Sequence, residues 1–227
     1  MNRLKHDLTI LTVASALTAF PASVHAGCLD APDHLDPPDS VLAGFEQSYT
    51  YQVAVRSVLL ADQPDDPYFR VVVLPAFFPE WALSIATPAA GQARVDVVEA
   101  RKKIYTAKGN RTPGTLRYSA SVDASVAEAL RSVLTTVLLD TRHCATSDGR
   151  IGFDGETYQF SGFIRNRGVL SGETWSPDDA TRAGQLVKAA HLLYRIARAG
   201  PDESAELRQE LLQVVGKLKA EVLGQGS

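Results

Sequence analysis

The sequence predicts an α+β fold: an antiparallel sheet packed against amphipathic helices and closed by a C-terminal two-helix segment. Three observations carry this expectation. Runs rich in Val, Tyr, Phe and Ile, broken by Pro, Gly and Asp, fill residues 48–105 and 151–175. Strands favour such residues because β-branched and aromatic side chains fit a pleated, half-buried surface. The apolar period then lengthens to helical spacing at Val126, Leu130, Val133 and Val137, and two further helical stripes close the chain.

The chain begins MNRLKHDLTILTVASALTAFPASVHAGC. Two basic residues, an uncharged run from Leu8 to Phe20 and a small-residue site ending at Ala26 read as a cleaved signal peptide over residues 1–26. The run is shorter than the ~20 residues a bilayer span requires. The protein is therefore expected in the periplasm or outside the cell, with no transmembrane segment after signal removal. Removing the signal takes two basic residues and one acidic one from a chain of net charge −3, leaving −4.

Cys28 and Cys144 both remain, and an even count in an oxidising compartment favours a disulfide between them. The alternative is a lipid anchor on Cys28, because Ala26-Gly27-Cys28 is similar to the end of a lipoprotein signal. His25 departs from the aliphatic residue usual in such signals, and lipidation would leave Cys144 without a partner.

Residues 27–40 are rich in Asp and Pro and read as a solvated linker, with residues 41–227 as a single domain. The aspartates Asp30, Asp33, Asp36 and Asp39 lack the glycine turn and terminal glutamate of a calcium loop. Ser48 to Leu60 and Tyr68 to Ala86 read as strands or buried segments, the second divided by Pro75 and Pro79. Ala93 to Tyr105 reads as a strand ending in the loop KGNRTPG.

A helix is expected from Ser121 to about Asp140, capped by Asp123 or by a Ser125/Glu128 box. Asp154-Gly155 predicts a two-residue hairpin and Arg165-Asn166-Arg167-Gly168 a second turn, so 151–175 reads as a three-stranded meander. Ser176-Pro177-Asp178-Asp179 has the makings of a helix start. The stripe Ala183, Val187, Ala190, Tyr194, Ala197 follows, and Gly200-Pro201 ends it. Leu207, Leu211, Val214, Leu218 and Val222 form the stripe of the last helix. The combination of Asp154, Gly155, Tyr158 and Phe160 with Trp175, Ser176 and Pro177 resembles uncharacterised secreted bacterial proteins, a resemblance that implies no activity.

Function is sparsely marked. There is no G-x-S-x-G elbow, no S-x-x-K in the secreted part, no phosphate loop and no H-E-x-x-H. No histidine pair has metal-ligand spacing, and neither cofactor nor metal is expected. Without a basic stripe interleaved with aromatics, nucleic acid is not an expected partner.

Asp154, Glu156 and Tyr158 could form a catalytic group, but a turn carboxylate is mostly solvated and lacks the shifted pKa such work needs. In Asp140-Thr141-Arg142-His143-Cys144, neighbouring side chains diverge, so His143 is poorly placed to activate Cys144, and Arg142 is expected to pair with a carboxylate. His191, at the margin of its stripe, reads as a boundary residue. Pro75-Ala76-Phe77-Phe78-Pro79-Glu80-Trp81 is the strongest candidate for an interface, with Phe77, Phe78 and Trp81 as anchors. The expected function is thus a non-catalytic secreted protein that binds a protein partner in the cell envelope, in the manner of an inhibitor or immunity protein. The alternative is an envelope hydrolase assembled from distant residues, with His143, Glu80 and Asp154 as its candidates.

Overall fold

A computed structural model describes residues 34–38, 46–105, 113–143 and 154–224. The signal peptide, Cys28 and Cys144 lie outside these residues, as do residues 151–153 of the expected meander. The chain is α+β, with elements in the order α1 (Glu46–Leu59), β1 (Phe69–Pro75), β2 (Trp81–Ile85), β3 (Gln92–Ala100), β4 (Thr115–Asp123), α2 (Ala124–Leu139), β5 (Glu156–Ile164), β6 (Gly168–Trp175), α3 (Arg182–Arg198) and α4 (Pro201–Leu223). The six strands form one sheet in the order β4-β3-β2-β1-β5-β6. All five pairings are antiparallel.

Strand alternation sends successive residues to opposite faces, and both faces are covered. On the inner face, Phe69, Val71, Val73, Leu83, Val95, Val97 and Phe160 pack with α2, α3 and α4 in one core. On the outer face, Val72, Ala82, Val98 and Ala100 pack with Val55, Val58 and Leu59 of α1. The sheet thus carries α2, α3 and α4 on its inner face and, among the described residues, α1 on its outer face.

α1 corrects the reading of Ser48 to Leu60 as a strand or buried segment: the stretch is a helix with one buried side. Tyr51, Val55, Val58 and Leu59 share a helical stripe, and burying it on the outer face outweighs the strand preference of its Val, Thr and Tyr residues. β4 was not anticipated. Its apolar residues Leu116, Tyr118 and Ala120 are only half-buried at the sheet edge, alternating with the exposed Arg117, Ser119 and Ser121, and only Val122 is buried.

The helix expected after Ser121 spans Ala124–Leu139 with Asp140 as its C-cap, and Val126, Leu130, Val133 and Val137 are buried as the spacing requires. α3 starts later than expected. Thr181, not Ser176, caps it, its hydroxyl accepting from the Gly184 N–H. Ser176 instead has φ 37, outside the extended conformation of a capping residue.

The Asp154-Gly155 hairpin is corrected as well. A type I′ turn requires positive φ at both residues, and Gly155 does not have it. The two edges of β5 are occupied by β1 and β6. The turn at Arg165–Gly168 does join β5 to β6, with Asn166 at φ 66 and Gly168 at φ 81.

The linker expectation fails for residues 34–38. Leu35 is fully buried in the inner core, and Asp36 exchanges two backbone hydrogen bonds with Glu173 of β6, at 2.8 and 2.7 Å. Gly172 makes room for this strap, since a Cβ there would stand 2.8 Å from Leu35 Cβ.

Candidate functional site

The candidate site lies at the end of the sheet where β1 turns into β2, β3 ends and β5 begins. The β1–β2 loop is held at Ala76, whose N–H donates to the Gly155 carbonyl at 2.9 Å and whose carbonyl accepts from Lys103 Nζ. From this fixed base Phe77 and Phe78 project into solvent, each 67% exposed. Trp81, grouped with them from the sequence, is only 6% exposed and forms part of the inner core. The aromatic segment is divided: two residues face solvent and one anchors the sheet.

Glu80 is the first residue beyond the loop and is fully buried. Alternation turns it to the outer face, where its carboxylate accepts from the Tyr51 hydroxyl at 2.9 Å, the Ile104 N–H at 2.7 Å and the Tyr105 N–H at 3.3 Å. Burial, and next the Glu80 charge, push the Tyr51 hydroxyl far above its ordinary range. Glu80 ties α1 and the turn at 101–105 to the loop, and that turn ends β3 at Ala100 rather than at Tyr105.

The three hydrolase candidates are not brought into one site. Glu80 is spent on the outer face beneath α1. His143 is exposed beyond the end of α2, which packs on the inner face, and Asp154 is exposed in the bend before β5. Arg142 does pair with Asp140. The disulfide and the lipid anchor both fall on residues outside those described.

The structure assembles a different group on the inner face. The Tyr158 hydroxyl donates to Glu156 Oε2 and lies 2.8 Å from His191 Nε2. The hydroxyl's one proton goes to Glu156, so His191 Nε2 carries the hydrogen in this contact and Nδ1 holds the lone pair. His191 meets the Trp81 ring edge to face at 5.5 Å and lies 3.8 Å from Glu156. Burial against these rings lowers its pKa, a shift that the Glu156 charge partly opposes. Tyr158 is pushed far upward by burial and then by Glu156.

Beyond Trp81, Tyr194 stacks on the indole at 4.5 Å and donates to Glu99 at 2.9 Å. Its pKa is pushed up to about 12, by burial first and Glu99 next. Arg198 closes the row, 3.4 Å from Glu99 and over the rings of Tyr118 and Tyr194.

Glu99 and Glu156 cannot act as a glycosidase pair. Three strand spacings separate their strands, roughly 14 Å, against the ~5–9.5 Å such chemistry needs. None of these residues lines the recess of about 320 Å³ among Thr136, Val137, Leu139, Asp140, Arg182 and Val222. Among the described residues, no group of three or more His, Cys, Asp or Glu is arranged to hold a metal, and no helix is long and apolar enough to cross a membrane.

His191 was legible in the sequence only as a boundary residue, and its partners lie 33 and 35 residues away on β5. Glu156 and Tyr158 had one local signal, their i, i+2 spacing on a strand, which puts both on one face. Comparison with family models, with curated proteins and with solved structures finds no match for this chain.

Proposed function

We propose that this is a non-catalytic secreted or periplasmic protein that docks on another macromolecule through Phe77 and Phe78. The observation that supports this reading is the exposure of two adjacent phenylalanines, 67% each, on a loop whose backbone is tied down on both sides. Large aromatics are on average highly buried, and exposing two on a fixed loop serves recognition better than it serves the core. A tethered loop also loses little conformational freedom on binding, which favours affinity. The test is a photo-crosslinking phenylalanine analogue at position 77, activated in the native envelope. A discrete adduct that depends on an intact Phe78 supports docking, and no adduct from a folded protein removes its basis.

A second reading, a hydrolase, is favoured by the Glu156, Tyr158 and His191 group. A neutral imidazole oriented by a hydroxyl and backed by a carboxylate has the form of a general base. If it is one, His191→Gln abolishes at least a hundredfold of some turnover; unchanged turnover disposes of it.

A further inference from the structure

The residues around the aromatic loop divide by charge. On the β3–β4 side lie Arg101, Lys102 and Lys103, the first two exposed. Lys103 touches the loop itself through the Ala76 carbonyl, and Arg101 is fixed beside β4 by the bond from its N–H to the Gly114 carbonyl at 2.8 Å. On the β5–β6 side lie Asp154, Asp178 and Asp179, all exposed, and the half-buried Glu156. Gly155, next to Asp154, bonds Ala76 directly, and Asp179 lies near enough to raise the Tyr158 pKa. Among the described residues at this end, Glu99 pairs with Arg198, and the Glu80 carboxylate is taken up by the Tyr51 hydroxyl and the Ile104 and Tyr105 amides.

Resting on the docking reading above, we infer that the occupant of this surface is a protein that offers an apolar socket to Phe77 and Phe78, an acidic flank to Arg101 and Lys102 and a basic flank to Asp154, Asp178 and Asp179. β3 and β5 are three strand spacings apart, about 14 Å, and the Debye length at physiological salt is ~8 Å. Each flank therefore meets the partner as a separate patch, and together they fix its orientation about the aromatic tip.

A uniformly charged partner fits less well. An anionic bilayer or a nucleic acid attracts one flank and is repelled by the other, whereas a protein can present both signs across one contact. The aromatic centre with a charged rim also matches the usual anatomy of a protein interface, in which charge is depleted at the core and kept at the edge. The overall charge of −4 in the secreted chain points to a basic target, but the basic side of the loop requires that target to carry an acidic region as well.

The test places a photo-crosslinker at position 102 in one protein and at position 154 in another, both activated in the native envelope beside the position-77 protein. The expected result is the same partner protein from all three positions. The peptide joined at 102 is rich in Asp and Glu and the peptide joined at 154 is rich in Lys and Arg. Lys102→Glu and Asp154→Lys, which leave the aromatic tip intact, each lower the position-77 yield by roughly fivefold at low salt, the equivalent of the ~1 kcal/mol that an exposed ion pair is worth at most. The loss shrinks as salt is raised. Lipid or nucleic-acid adducts at 77, or peptides with no difference in charge, overturn the inference and leave docking standing. Failure at all three positions overturns both.

Discussion

Replacing Glu80 by Ala removes the acceptor of three hydrogen bonds without touching the exposed loop tip. Two of its donors are sheltered: the Ile104 N–H, on a residue 5% exposed, and the Tyr51 hydroxyl. The third, the Tyr105 N–H, belongs to a residue 55% exposed, and water can take it up. A buried donor left unpaired costs about 1–3 kcal/mol, so the two together cost about 4 kcal/mol. In a domain of this size that is a fall in Tm of about 8–16 °C.

Tyr51→Phe removes one bond to a charged acceptor and leaves the rest, at a cost of about 2 kcal/mol. Because the two residues share that bond, the double variant should lose less than the sum of the single losses. Urea unfolding of the four proteins measures all three quantities. If Glu80→Ala stays within 1 kcal/mol of the parent and abolishes a turnover or a binding event, the carboxylate is functional and the structural reasoning is wrong.

Gly172→Ala should expel the strap of residues 34–38, because the new Cβ meets Leu35 at 2.8 Å and Thr141 Oγ1 at 2.9 Å. The expected loss is about 1–3 kcal/mol, with faster hydrogen exchange at the Glu173 amide that Asp36 now protects. His191 supplies a pH dependence. Its folded pKa lies below the ordinary 6.5, so the unfolded chain takes up the proton first as pH falls. The stability linked to neutral His191 is full above pH 6.5 and is lost from there down to the folded pKa. Unfolding free energies of the parent and His191→Gln across pH 4.5–7.5 should therefore differ by a constant above 6.5 and shift against the parent below it. Thr181→Ala should cost about 1 kcal/mol by removing the α3 cap, measured by thermal unfolding.

Much of the fold was legible because burial and periodicity agree along most elements. β1 and β2 are divided where Pro75 and Pro79 divide them, and α2 and α4 bury the stripes their spacing marks. α1 was misread because Tyr, Val and Thr favour strands while the 51, 55, 58, 59 stripe favours a helix. Only the apolar outer face, which other strands create, decides between them. β3 ends early because Glu80, twenty residues before, captures the amides that would have continued it. Asp154-Gly155 has the composition of a hairpin turn, yet β1 and β6 fill both edges of the strand that follows. The β1–β2 loop was visible as a rigid aromatic segment, but nothing local told Trp81 from Phe77 and Phe78. Register assigns Trp81 to the inner face opposite Val73, where His191 and Tyr194 cover it. The Glu156, Tyr158 and His191 contact joins a strand to a helix and has no sequence signature.

The measurement that bears most directly on the account is urea unfolding of Phe77→Ser/Phe78→Ser alongside capture of its envelope partner. The account predicts an unfolding free energy within about 0.5 kcal/mol of the parent, as exposed positions allow, together with loss of the captured partner. A double variant that unfolds would make the loop part of the core, and a stable one that still captures the partner would place the docking surface elsewhere.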